Sequence, residues 1–114
     1  MKEFCDPAVK PVFCKWIEDQ WQICVDSPVA DVDIQGSPER VLSRAVIKDT
    51  SGRRFLIEKF GLAKRDHRTF VADCVHALHE KGLTRAVDYK KASSGGYLPI
   101  FQKAAYQISD YLDS

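Results

Sequence analysis

Residues 41–60 read VLSRAVIKDTSGRRFLIEKF, and this stretch decides the fold. Two runs with period-two patterning, 41–48 and 54–60, flank Asp49-Thr50-Ser51-Gly52, a cluster of residues that favour tight turns. Successive side chains of a strand point to opposite faces, so each run describes a strand with one side turned to a core. Joined by so short a connection, the two runs make an antiparallel β-hairpin.

Working upstream, the same period of two starts at Ile23: Val29, Asp31 and Asp33 alternate with Ala30, Val32 and Ile34 until Gly36-Ser37-Pro38 stops the strand. Before it, Phe13, Trp16, Ile17 and Trp21 recur at helical spacing with Lys15, Glu18 and Asp19 between them, which predicts a helix over 11–21. Asp6-Pro7 and Pro11 are each placed to open a helix, because a first-turn N–H has no intrahelical partner to lose. The stripe reads as a packing face.

Downstream, Phe70, Cys74 and Leu78 lie four apart with Val71 and Val75 in the adjoining row, predicting a helix over 66–81. Asp66 is the expected N-cap, and Gly82 the expected left-handed cap, with Lys81 at the negative end of the helix dipole. Burial of four or five such side chains should contribute about 1.5 to 3 kcal/mol each to docking that helix. Segments 86–89, 97–101 and 105–112 read as short strands, the first two divided by Ser93-Ser94-Gly95-Gly96. The sum is an α+β domain: an antiparallel sheet of about five strands with helices expected on one side.

The 114 residues, 45% of them hydrophobic, suffice for one modest core and thus a single domain, 1–114. Seventeen basic and sixteen acidic residues leave a formal charge of +1. No electrostatic surplus draws such a chain to nucleic acid or to an anionic membrane. The local basic groups, Lys64, Arg65 and Arg68, and Lys90 with Lys91, read as solvated faces. Cys5, Cys14, Cys24 and Cys74 show no C-x-x-C pair and no zinc-like Cys/His spacing, so they read as reduced thiols, Cys74 as a small hydrophobe on its helix. With no apolar run for a signal peptide or a membrane span, a cytoplasmic protein is expected.

Several local sequences resemble the N-terminal lobe of the aminoglycoside phosphotransferase and choline-kinase-like group of protein-kinase-like folds. They are Gly36-Ser37-Pro38-Glu39-Arg40 between two strands, Gly52-Arg53-Arg54-Phe55-Leu56-Ile57-Glu58 entering the third, Leu78-His79-Glu80-Lys81-Gly82-Leu83 closing the helix, and residues 106–114. The order of elements from about residue 10 onward agrees with that pattern. The resemblance implies a nucleotide-binding lobe of a small-molecule phosphotransferase that takes ATP, with magnesium and the catalytic aspartate supplied by a larger C-terminal lobe absent from these residues. The chain alone would then be inactive, and the missing lobe and a small-molecule substrate would be its partners.

By the same resemblance, Gly36, Ser37 and Arg40 stand where the phosphate-covering loop would be, with Arg40 or Arg44 available to fork onto phosphate oxygens. Ser109 would line the back of the pocket, and the backbone of Asp110 and Leu112 would meet the adenine edge. Glu58 falls where the family carries its phosphate-holding lysine, and Lys59 stands one step further on. Lys59 reaches the same face only if the strand carries a bulge. Val71 takes the position of the helix glutamate, with Asp66 and Asp73 nearby.

Other constellations are thinner. His76 and His79, with Asp73 and Glu80 beside them, share a helix face but offer too few ligands for a structural metal site. No Cys-His-Asp triad and no G-x-S-x-G elbow can be assembled. A second reading is a non-catalytic α+β module that pairs with itself or a partner through an exposed strand at 105–112. An isolated lobe would also leave Tyr106, Tyr111 and Leu112 bare on its cleft face, an apolar surface expected to drive a homodimer. A small enzyme complete in these residues lacks any nucleophile, acid pair or metal cluster to run on.

Overall fold

The structure, a computed structural model, describes residues 2–31, 43–82 and 89–111. Two helices, α1 (Lys2–Cys5) and α2 (Lys10–Trp21), precede strands β1 (Val25–Asp31), β2 (Ser43–Asp49) and β3 (Arg54–Gly61). A 3-10 turn (Leu62–Lys64) leads into α3 (Arg65–Glu80), and β4 (Ile100–Phe101) and β5 (Ala104–Asp110) complete the order. The five strands form one antiparallel sheet in the order β1-β2-β3-β5-β4. The fold class is α+β, as the alternating runs require.

The central hairpin forms where the sequence places it. Asp49 Oδ1 accepts hydrogen bonds from the Ser51 N–H (3.0 Å), the Ser51 hydroxyl (2.8 Å) and the Arg53 N–H (2.9 Å). These bonds, that from the Ser51 hydroxyl foremost, hold the Asp49 carboxyl below its ordinary pKa. Gly52 turns the chain with φ of 92°, a region that costs glycine nothing. From there Lys48↔Arg54 to Ser43↔Lys59 pair without a break. Strand β1 is an edge, and its register shifts on either side of Ser27 and Pro28, where a missing ladder N–H is best tolerated.

The two larger helices take opposite faces of the sheet rather than one side. Against one face, α2 packs Phe13, Ile17 and Trp21 onto Ala45, Ile47, Phe55, Ile57, Tyr106 and Ile108. Phe13 is fully buried and lies 5.0 to 5.1 Å from the rings of Phe4, Phe101 and Tyr106. Helix α2 ends at Gln22, whose left-handed φ of 61° brings its N–H to Glu18 O at 2.8 Å. The loop after residue 89 is tied to the same helix, since Trp21 Nε1 donates to Lys90 O (3.0 Å) and the Ser93 N–H to Gln20 O (2.6 Å).

On the other face, α3 docks through a row the hydrophobic pattern does not mark. Arg65, Arg68, Ala72 and His76 meet the sheet side: Arg65 Nε donates to Leu98 O (2.8 Å), Arg68 lies over the Phe60 ring at 5.0 Å, and His76 faces Tyr97 at 6.1 Å. Fully buried Ala72 joins Phe60, Tyr97, Leu98 and Ala105 in a small second cluster. The expected stripe points outward, with Phe70 66% and Leu78 43% exposed and Cys74 exposed as well. The reason is complementarity: the strand face beneath α3 carries Glu58, Gln107 and Ser109, so a polar helix row serves it better than an apolar one.

At its start α3 also departs from expectation. Lys64 holds the N-cap position with no side-chain bond, and Asp66 sits inside the first turn, where its charge still complements the dipole. At the far end Gly82 adopts φ of 68°, its N–H bonding His79 O at 3.1 Å, as anticipated. Strand β5 is longer than β4 and lies inside the sheet, flanked by β3 on one side and by β4 and the Tyr89↔Ser109 bridge on the other. Of the edge expected at 105–112, the strand as far as Asp110 is therefore covered, and Tyr106, expected to be bare, is fully buried under α2. Among the described residues no helix is long and apolar enough to cross a membrane.

Candidate functional site: the polar face beneath helix α3

Strand β3 pairs with both neighbours in unbroken register, Glu58 opposite Arg44 and Gln107, Lys59 opposite Ser43 and Tyr106. Without a bulge, Glu58 and Lys59 must lie on different faces. Glu58 shares the α3 face with Phe60 and is buried at 8% exposure, its Oε2 accepting from Arg44 Nε at 3.0 Å. Ser109 lies on that face too, buried at the position opposite Leu56. The structure thus brings Glu58 and Ser109 together, with Gln107 between them.

Lys59 goes to the α2 face, where its ammonium is ion-paired with Glu3 of α1. The Tyr106 hydroxyl donates to the same Glu3 Oε1 at 3.0 Å. Burial pushes the Glu3 carboxyl up, but the hydrogen bond and charge of Lys59, with the bond from Tyr106, hold it below its ordinary pKa. Burial, and then the adjacent Glu3 charge, drive the Tyr106 phenol well above its usual range. Lys59 therefore fastens the amino-terminal helix onto the sheet. Asp110 closes β5 and meets Arg53 Nη2 and Lys90 Nζ, each at 3.4 Å. A shallow depression lined by Arg53, Arg54, Asp110 and Tyr111 lies at that end of the strand. Gly36, Ser37, Arg40 and Leu112 fall outside the described residues.

Two further side chains belong to the polar face. From α3, Arg68 Nη2 comes to 3.5 Å from Gln107 Oε1 and 3.4 Å from the Tyr89 hydroxyl. Gln107 is wholly buried. Among the described residues, four buried side-chain atoms have no hydrogen-bond partner: Glu3 Oε2, Ser43 Oγ, Arg68 Nε and Gln107 Nε2. The last two lie together beneath α3, and a buried donor left unsatisfied costs about 1–3 kcal/mol. A signal for Gln107 and Ser109 was available, since they alternate with Tyr106 and Ile108 in an otherwise apolar strand. Arg68 carried none, because a basic residue on an amphipathic helix reads as solvated.

His76 Nε2 lies 3.0 Å from Glu80 Oε1 across one helical turn. Among the described residues, no group of three or more His, Cys, Asp or Glu side chains is gathered as a metal site would need.

No protein-family model matches this chain, and no curated protein matches its sequence. Among solved structures it is similar to an aminoglycoside phosphotransferase from Alicyclobacillus acidocaldarius, with a TM-score of 0.51 and 18% identity. The match covers 74% of this chain and 24% of that enzyme's, so it spans about a quarter of the longer protein. At that identity the likeness is one of fold: a five-stranded antiparallel sheet with its helices, related to part of a phosphotransferase.

Proposed function

We propose that this chain is the nucleotide-binding lobe of a phosphotransferase-like protein, with ATP as the nucleotide and a second lobe completing the reaction on a small-molecule substrate. The observation that carries the reading is the polar face under α3, where Glu58 and Ser109 converge in a fold shared with part of a phosphotransferase. The sheet and α3 meet there through Arg44, Glu58, Arg68, Gln107 and Ser109, polar groups of the kind that orient a bound ligand.

The chemistry of the face fits a phosphate-bearing ligand. Glu58 by itself would repel phosphate, but Arg44 neutralises it at 3.0 Å. Asp110 and the open depression beside it lie at the strand end where the adenine edge would be read through the backbone. Gly36, Ser37 and Arg40 would cover the phosphates and Leu112 would add a further backbone contact. Magnesium would be held through the second lobe; when bound it would offset phosphate charge, while this chain's residues bind and orient the nucleotide.

Titration of the chain with ATP and with adenosine, followed by backbone amide NMR, tests the reading. Both ligands should move the amides of Ser109, Asp110 and Leu112. Unmoved amides at ligand concentrations of about 1 mM, the upper end of common KM values, would remove nucleotide binding as the function.

A further inference from the structure

The two unpartnered atoms beneath α3 are both N–H donors, and one belongs to a permanently charged guanidinium. The orientation of Gln107 follows from its neighbour: the carbonyl must face Arg68 Nη2, because a flipped amide would set donor against donor. The Gln107 NH2 group is then turned away from Arg68 with no acceptor to receive it. Among the described residues Glu58 is the carboxylate on this face, and Arg44 already matches it. Arg65 turns to the Leu98 carbonyl, which leaves Arg68 without an acidic partner among the described residues.

A bridging water could satisfy both donors but would leave that charge unmatched. What fits is an anion with several acceptor oxygens. The Tyr89 hydroxyl, lying 3.4 Å from Arg68 Nη2, accepts from the cation and keeps its own proton to donate. Arg68, Gln107 and Tyr89 thus offer three donors from α3, β5 and the segment bridged to β5, enough to meet the three oxygens of a phosphoryl group. Both free donors lie below the accessible surface, so an anion reaches them as the half-buried Arg68 side chain swings toward solvent.

We infer that the seam between α3 and β5 is a phosphate seat, with Arg68 and Gln107 as its principal ligands and Tyr89 as the third donor. The seat deepens the nucleotide reading and rests on it only for the source of the phosphate, which could also be an inorganic phosphoanion. It also assigns the phosphate-facing cation of this face to the helix, because β3 presents Glu58 there and sends Lys59 to the other side.

The test uses the full chain labelled with nitrogen-15 and titrated separately with inorganic pyrophosphate, ATP and adenosine. Pyrophosphate should shift the Gln107 side-chain NH2 and the Arg68 Nε–H resonances, an observation that needs no substitution and so survives any variant that misfolds. Calorimetry on Arg68→Gln and Gln107→Leu should show at least a tenfold loss of pyrophosphate affinity, with Arg68→Lys intermediate. Resonances that stay in place, or variants that bind pyrophosphate as the parent does, overturn the seat. If adenosine moves Asp110 while pyrophosphate leaves Arg68 and Gln107 untouched, the seat falls and the nucleotide reading stands. If pyrophosphate moves both but ATP binds no tighter and adenosine not at all, the seat stands with an inorganic phosphoanion as its ligand.

Discussion

The two faces of the sheet are made from the same strands and do different work. Beneath α2, aromatic and aliphatic side chains interlock around Phe13, and the ion pair of Lys59 with Glu3 is sealed by the Tyr106 hydroxyl. Beneath α3, the apolar cluster shrinks to Ala72 with Phe60, Tyr97, Leu98 and Ala105, and Arg44, Glu58, Arg68, Gln107 and Ser109 share the face with Val46 and Leu56. Apolar burial holds the domain from one side. That leaves the other free to keep unsatisfied donors, a cost a small domain tolerates only where its core is secure elsewhere.

Two phenylalanines measure the contrast most directly. Phe13→Ala should cost about 3–5 kcal/mol, the range for emptying a large aromatic site that cannot collapse, read as the shift in urea-unfolding free energy. A loss below about 1 kcal/mol would mean that the α2 face is not the chief source of stability. Next in size is the ion pair. Lys59→Met should cost about 3 kcal/mol, near the low end for removing one partner of a buried pair, because Glu3 would remain as an unpaired buried carboxylate.

That pair also sets an acid limit. The Glu3 carboxyl titrates below its ordinary value in the folded chain, so its contribution is present above the unfolded pKa of about 4.3. It is lost as pH falls through the lower folded value. Unfolding curves from neutral pH downward should show a steeper acid loss in the parent than in Glu3→Gln, and equal slopes would refute the assignment. Smallest of all, Phe70→Ser on the exposed row of α3 should leave stability within about 0.5 kcal/mol of the parent. A larger destabilisation would show that this row packs against something.

How far the sequence carried differs between these faces too. The hairpin at 43–61 was legible because turn chemistry and a period of two agree, and the α2 stripe because Phe13, Ile17 and Trp21 have no other use. The α3 stripe misled. Phe70, Cys74 and Leu78 have helical spacing, but spacing says only that a row is apolar, not that the sheet opposite wants an apolar row. The strand between Tyr97 and Phe101 contracted to two residues because Tyr97 and Leu98 are taken up by the α3 cluster. At the site, Glu58 and Ser109 were named from resemblance and prove to share a face. Arg68 and Gln107 were missed, since their significance is that they meet.

Local chemistry, then, settled the elements: where the chain turns, which stretches extend, which coil, and that one antiparallel sheet would gather them. Only the assembled molecule decided that the helices take opposite faces, that β5 runs inside the sheet, that Lys59 holds Glu3 and that two donors are left beneath α3. Periodicity is written within each element, whereas partnership depends on which elements come to lie together, and the balance of charge and hydrogen bonds across a seam exists only once both sides are in place.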